Sequence, residues 1–128
     1  MKKEIKHPEK LLSTRSYSAA IECDGWLFIS GHAAQNLATG EVVRGTIAEE
    51  TRLTLSHIST VLRQAGCTFG DVLKCTCHLA DINDFEEFDK TYREFFIGVK
   101  SARTTVQSVL GERIKVEIDA IARVPRGR

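Results

Sequence analysis

Proline is nearly missing from this sequence. It occurs twice, at Pro8 and Pro125, so the body between them holds no residue that breaks a helix or is barred from a central strand. No apolar run approaches the ~18 residues of a membrane span. The opening MKKEIKHPEK lacks the apolar core of a secretory signal, which predicts a cytoplasmic protein. Neither sign of charge dominates: 18 basic and 17 acidic residues leave a formal net charge of +1. Dedicated nucleic-acid and membrane-surface proteins usually carry a clear basic excess, so neither class is expected. Lys2, Lys3 and Lys6 at one end and Arg123, Arg126 and Arg128 at the other read as solvated termini. There is no Gly-x-Gly-x-x-Gly, no phosphate loop and no Gly-x-Ser-x-Gly elbow.

What is present is ordinary globular material. The chain has 128 residues, 42% apolar and 27% charged, which predicts one domain over residues 1–128 with a core that needs neither disulfide nor metal. Its four cysteines, Cys23, Cys67, Cys75 and Cys77, are expected to be reduced thiols. Cys75-Thr-Cys77-His78 has a metal-like look. However, zinc sites use Cys-x-x-Cys or a related spacing with two further ligands, and on a strand His78 would face away from both cysteines. Buried small hydrophobes are the better reading of Cys75 and Cys77.

The periodicity alternates strand and helix. Residues 18–30 read as a hairpin turning at Asp24-Gly25, followed by a loop over 31–45. Ile47, Thr51, Leu55, Ile58, Leu62 and Ala65 form the apolar stripe of a helix over 46–65, capped by Thr46 and ended by Gly66. Glu49 and Glu50 in its first turn suit the helix dipole. Residues 72–79 read as a strand with Leu73, Cys75, Cys77 and Leu79 on one face. A second helix is predicted over 84–96, capped by Asn83 or Asp84, with a stripe of Phe85, Phe88, Tyr92 and Phe95 or Phe96. Strands over 103–109 and 114–123 follow, the last with Glu117 and Asp119 on its polar face, and a short extra strand near residues 3–6 is possible. The order β-β-α-β-α-β-β implies a mixed sheet with both helices on one face, because crossovers are right-handed. Trp26 and Phe28 oppose Leu27 and Ile29, so this strand must be buried on both sides. With no third helix available, a neighbouring copy of the chain is the simplest cover, and a homo-oligomer is expected.

Few residues invite chemistry. Arg103 stands at the mouth of a strand before an uncharged stretch, where its planar fork would grip a carboxylate; an internal salt bridge to Glu117 or Asp119 is the alternative. Glu117 and Asp119 are candidate general bases if their face meets a partner subunit, and otherwise a solvated strand face. Tyr17 would donate its phenol to a ligand, or pack against a neighbour. Ser30-Gly31 would let a ligand approach the backbone, or simply end a strand. His57 is placed on the helix surface, and His32, beside Gly31, is the histidine within reach of a pocket.

Taken together these segments resemble the RidA/YjgF family. The resemblance runs through Tyr17, residues 26–31 (WLFISG), Thr39-Gly40, Ala65-Gly66, residues 71–74 (DVLK), Asp84-Phe85, residues 92–96 (YREFF), Ser101-Ala102-Arg103 and residues 116–122 (VEIDAIA). It implies a chorismate-mutase-like α+β fold and a homotrimer whose sheets form a central barrel, with ligand pockets between subunits. It also implies hydrolysis of reactive 2-imino and enamino acids, such as 2-aminoacrylate and 2-iminopropanoate, to 2-oxo acids and ammonia. In that reading Arg103 clamps the substrate carboxylate, and Glu117 holds or deprotonates the attacking water. Tyr17, Ser30, Gly31 and Thr105 line the pocket, and no metal or organic cofactor is required. The chain departs from the family where Ser101 replaces a common proline, Thr105 a frequent cysteine, His32 a glutamine and Asp89 an asparagine, and where Leu37-Ala38 precede Thr39-Gly40 without the usual proline. These changes bear on the preferred substrate. A non-catalytic protein that binds small carboxylate metabolites or regulates through the same pocket is the alternative. RNA binding or cleavage, a role of some relatives, fits the near-neutral charge poorly.

Overall fold

The computed structural model describes residues 1–10 and 16–127; Arg128 lies outside them. Its elements are β1 (Lys3–Ile5), β2 (Ala20–Cys23), β3 (Trp26–Ala33), α1 (Ile47–Gln64), β4 (Val72–Leu79), α2 (Phe85–Arg93), β5 (Ala102–Gln107) and β6 (Val116–Arg123). The strands form one sheet in the order β1-β2-β3-β6-β4-β5. All neighbours pair antiparallel except β4 and β5, which run parallel on either side of α2. Because β6 pairs antiparallel with both β3 and β4, those two strands are parallel as well. Both helices therefore sit in crossovers between parallel strands, which sends them to the same face. The result is the expected mixed sheet with two helices.

Local chemistry explains most element boundaries. Asp24 (φ 53°) and Gly25 (φ 82°) both adopt left-handed backbone, the requirement of the tight turn that matches strand twist. Thr46 caps α1: Glu49 N–H donates to its hydroxyl at 3.1 Å, and Thr46 N–H donates back to the Glu49 carboxylate at 2.8 Å. The buried residues of α1, α2 and the sheet make one core, with Leu27, Leu55, Leu62, Leu79, Phe88 and Ile118 fully enclosed.

Four expectations need correction. β3 does not stop at Ser30 but continues to Ala33, because a register shift between Ile29 and His32 absorbs the extra residue around Gly31. A second shift, between Val72 and Lys74, buries Val72 and leaves Leu73 exposed. α2 ends at Arg93, and Asp84 makes no side-chain cap there; Asp81 instead caps the short 3-10 turn that precedes it, accepting from Asn83 N–H at 2.9 Å. His57 is not on the surface but 5% exposed, since that side of α1 packs against residues near the start of the chain.

One buried acid fixes how α1 meets the sheet. Glu50, 1% exposed, accepts from Lys115 N–H (3.1 Å), Lys115 Nζ (3.2 Å) and Gly45 N–H (3.2 Å). On the side of the sheet away from the helices, Trp26, Phe28 and Val106 remain exposed, and Ile121 lies opposite Phe28. No helix is long and apolar enough to cross a membrane among the described residues.

Candidate active site

The register of the sheet sorts the candidate residues into two groups. In β5, Arg103 lies opposite Cys75 and Thr105 opposite Cys77, so both point to the helix-covered side. In β6, Glu117 lies opposite His78, on the open face. Arg103 and Glu117 are therefore not brought together within one chain.

The Arg103 group is the more elaborated. Its guanidinium carbon lies 4.8 Å from the Tyr92 ring centre, 5.4 Å from that of Phe85 and 5.8 Å from that of Phe88. These rings come from one stripe of α2, and their faces attract the cation. Arg103 Nη1 donates to Asp89 Oδ1 at 2.7 Å. Asp89 Oδ2 accepts in addition from Arg93 Nη2 at 3.0 Å. The Arg103 guanidinium, with Arg93 behind it, holds the Asp89 carboxyl below the usual carboxylate range. The partner anticipated for Arg103, Glu117 or Asp119, is thus replaced by an acid from α2. Among the described residues, the remaining guanidinium nitrogens of Arg103 have no hydrogen-bond partner.

This arginine borders a cavity of about 300 Å³, walled by Tyr92, Phe96, Asp89, Arg93, Lys100 and Ser101. The buried Tyr92 and Ser101 hydroxyls lie near each other and near the thiol of Cys75, but neither makes a well-formed hydrogen bond. Burial raises the Cys75 thiol, and raises the Cys77 thiol and the Tyr92 phenol well above their ordinary values. Thr105 Oγ1 is likewise buried without a partner.

The second group gathers at the bulge in β3. A Cβ placed on Gly31 would come within 2.8 Å of Glu117 Oε2, so the carboxylate lies directly over the glycine. Tyr17, half exposed, stacks beneath Lys10 and shares a small hollow of about 30 Å³ with Gly31 and His32. Ser30 is committed elsewhere: its hydroxyl donates to Ser18 O at 2.6 Å. Across the same face His78 Nε2 lies 3.5 Å from Asp119 Oδ2, and His78 Nδ1 2.8 Å from Ser108 Oγ.

Sequence reasoning missed Asp89 as the partner of Arg103, and Lys100 and Arg93 as cavity residues. The Asp89–Arg93 spacing was visible as a helical i,i+4 pair, but its reach to β5 depends on how α2 packs. It also missed His7, Glu9 and His57, which among the described residues bring three ligand-type atoms within 4.8 Å of one another. Their ring nitrogens already serve a chain of hydrogen bonds: Glu9 N–H donates to His7 Nδ1 (3.1 Å), His7 Nε2–H to His57 Nδ1 (3.3 Å) and His57 Nε2–H to Gln35 O (2.8 Å). A metal would have to displace those bonds.

Known proteins resemble the chain along nearly all its length. Residues 8–124 match the family described as Endoribonuclease L-PSP. A RutC family protein of Pyrococcus horikoshii is 41% identical over 107 residues, 83% of this chain and 85% of its own. A 2-iminobutanoate/2-iminopropanoate deaminase of Bos taurus is 40% identical over 107 residues, 83% of this chain and 78% of its own. Among solved structures, the Rid family protein YyfA of Yersinia pestis superposes with a TM-score of 0.90 at 34% identity, covering 97% of this chain and all of that one. E. coli TdcF with bound serine superposes with a TM-score of 0.86 at 28% identity, covering 96% of this chain and 99% of that one. With this match and this fold, the chain belongs to the RidA/YjgF family and has its chorismate-mutase-like architecture.

Proposed function

We propose that this single-domain protein is an imine deaminase of the cytoplasm, acting as a homotrimer whose pockets lie between subunits. It hydrolyses 2-imino and enamino acids such as 2-iminopropanoate and 2-aminoacrylate. The observation that carries the reading is Arg103: an aromatic shelf and one Asp89 oxygen fix a guanidinium at the edge of a cavity while its other donors have no partner among the described residues. Two parallel hydrogen bonds to a carboxylate use such donors. The named activity of the bovine relative and the serine bound to TdcF point the same way.

The split between the two faces supports a shared site. Arg103 and Thr105 would come from the edge strand of one subunit, and Tyr17, Ser30, Gly31 and Glu117 from the open face of the next. That packing would also cover Trp26, Phe28 and Val106.

The protonated imine carbon is already electrophilic, so positioning and one proton acceptor suffice. Arg103 holds the carboxylate and thereby the adjacent C2. Glu117 takes a proton from water as its oxygen bonds to C2. The same proton returns to nitrogen, the C–N bond breaks, and ammonia leaves as the C2 hydroxyl gives its proton to Glu117 and becomes the 2-oxo group; that proton then leaves with ammonia as ammonium. Water is the only co-reactant.

The test is release of ammonia and pyruvate from 2-aminoacrylate generated in situ. Arg103→Ala and Glu117→Gln should each lower the enzyme-dependent rate at least ~100-fold, the scale of a lost positioning or general-base group. Equal rates for wild type and Arg103→Ala would refute the assignment. The Asp89 contact favours a second reading, a non-catalytic binder of small carboxylates; ligand-induced thermal stabilisation with no turnover of any imine would establish it.

A further inference from the structure

The cavity beside Arg103 carries more positive charge than a small imino acid needs. Arg93, Lys100 and Arg103 face a single carboxylate, Asp89. Asp89 is already clasped by two of these cations, its Oδ1 on Arg103 and its Oδ2 on Arg93, so both guanidiniums converge within reach of one carboxylate. Lys100 Nζ is anchored at the rim by donating to Phe96 O at 2.6 Å, which leaves two of its three donors for a ligand. The volume, about 300 Å³, holds roughly ten waters at ~30 Å³ each, more than a three-carbon imine fills. The wall between the charges is aromatic, Tyr92 stacked on Phe96 at 4.5 Å, and suits a short methylene chain.

We propose, building on the deaminase reading, that the preferred substrates are 2-imino dicarboxylic acids, imines whose side chain ends in a second carboxylate. The first carboxylate meets Arg103. The methylenes lie against Tyr92 and Phe96. The distal carboxylate meets Lys100 and Arg93, where the charge left over after Asp89 is positive. Lys100 and Arg93 act on specificity: they bind the far end of the substrate and take no part at C2.

The experiment compares imines generated in situ by amino acid oxidases, 2-iminoglutarate and 2-iminosuccinate against 2-iminopropanoate and 2-iminobutanoate, with semicarbazide trapping of the unreacted imine. The expected kcat/KM for the dicarboxylates is at least ~10-fold higher than for the monocarboxylates. Lys100→Met and Lys100→Glu should lower the ratio of the two classes by roughly 3-fold and 10-fold or more, and Arg93→Met should lower it too. Monocarboxylates turned over as well as or better than dicarboxylates, or a ratio unmoved by the Lys100 variants, would overturn the proposal. A parallel arm measures thermal stabilisation by 2-oxoglutarate and by 2-oxobutanoate. If no imine is hydrolysed but 2-oxoglutarate still binds more tightly, and Lys100→Glu removes that preference, the deaminase reading fails while the dicarboxylate pocket stands. If neither arm shows a preference, the pocket assignment fails on its own.

Discussion

Arg103 and Asp89 form a 2.7 Å ion pair that joins the edge strand β5 to the middle of α2, with both side chains about three-quarters buried. The pair orients the guanidinium but also occupies one of its donors. An incoming carboxylate must share the cation with Asp89. Asp89→Asn keeps the shape and removes the competing charge. It should tighten binding of 2-oxobutanoate by roughly 3–10-fold, about 1 kcal/mol for a partly screened pair, as read by calorimetry. Weaker binding in that variant would instead make Asp89 an orienting group whose charge the site requires.

Elements built from neighbouring residues were legible in the sequence. Asp24-Gly25 announced its turn, Thr46 its helix cap, and Glu117 and Asp119 their shared strand face. Features that depend on long-range packing were not. The shift between Val72 and Lys74 reverses which residue is buried without altering the apolar pattern. Glu50 looked like a dipole-matched surface acid, yet its partner Lys115 lies in a segment that only the folded sheet brings near. His57 looked exposed because the stripe of α1 marks the face toward the sheet and says nothing of His7, which covers another side. The expectation of a trimer came from the family resemblance, whereas periodicity alone supplied only an uncovered apolar face.

Gly31 and Glu117 form the second relationship that bears on activity. The atom nearest a Cβ at Gly31 is the tip of a flexible side chain, so Gly31→Ala can be absorbed by moving the Glu117 carboxylate. Stability should fall by less than about 1 kcal/mol, with Tm nearly unchanged. On the proposed mechanism turnover should drop at least ~10-fold, because Glu117 would no longer sit over the backbone where that mechanism places the water. A variant that keeps full kcat would remove Glu117's position from the mechanism.

Glu50 should be the costliest acid in the chain to remove. Its buried carboxylate satisfies two backbone N–H groups and the partly exposed ammonium of Lys115. Glu50→Ala strands the two N–H groups, while Lys115 can turn to water, and should cost about 2–4 kcal/mol in urea unfolding. Glu50→Gln retains an acceptor oxygen and should cost less. Equal losses from the two variants would mean that packing volume, not hydrogen bonding, sets the penalty.

Acid should weaken the fold through its buried histidines. His32 Nδ1 donates to Ser30 O at 2.7 Å, and burial pushes its pKa down from 6.5 to about 4, with His57, His7 and Lys10 adding repulsion. His7 is lowered too, first by burial, then by His57 and Lys10, with Glu9 opposing. In the unfolded chain these rings take up protons near pH 6.5. Between pH 6.5 and 4 the unfolded state therefore binds more protons than the folded one, and stability must decline as pH falls through that window. His32 alone should remove about 2 kcal/mol by pH 5 and about 3 kcal/mol by pH 4. His32→Gln keeps a donor for Ser30 O without a titrating ring and should flatten the urea-unfolding profile over the same range. A wild-type profile that is level from pH 7 to pH 5 would show that these rings are not held neutral by the fold.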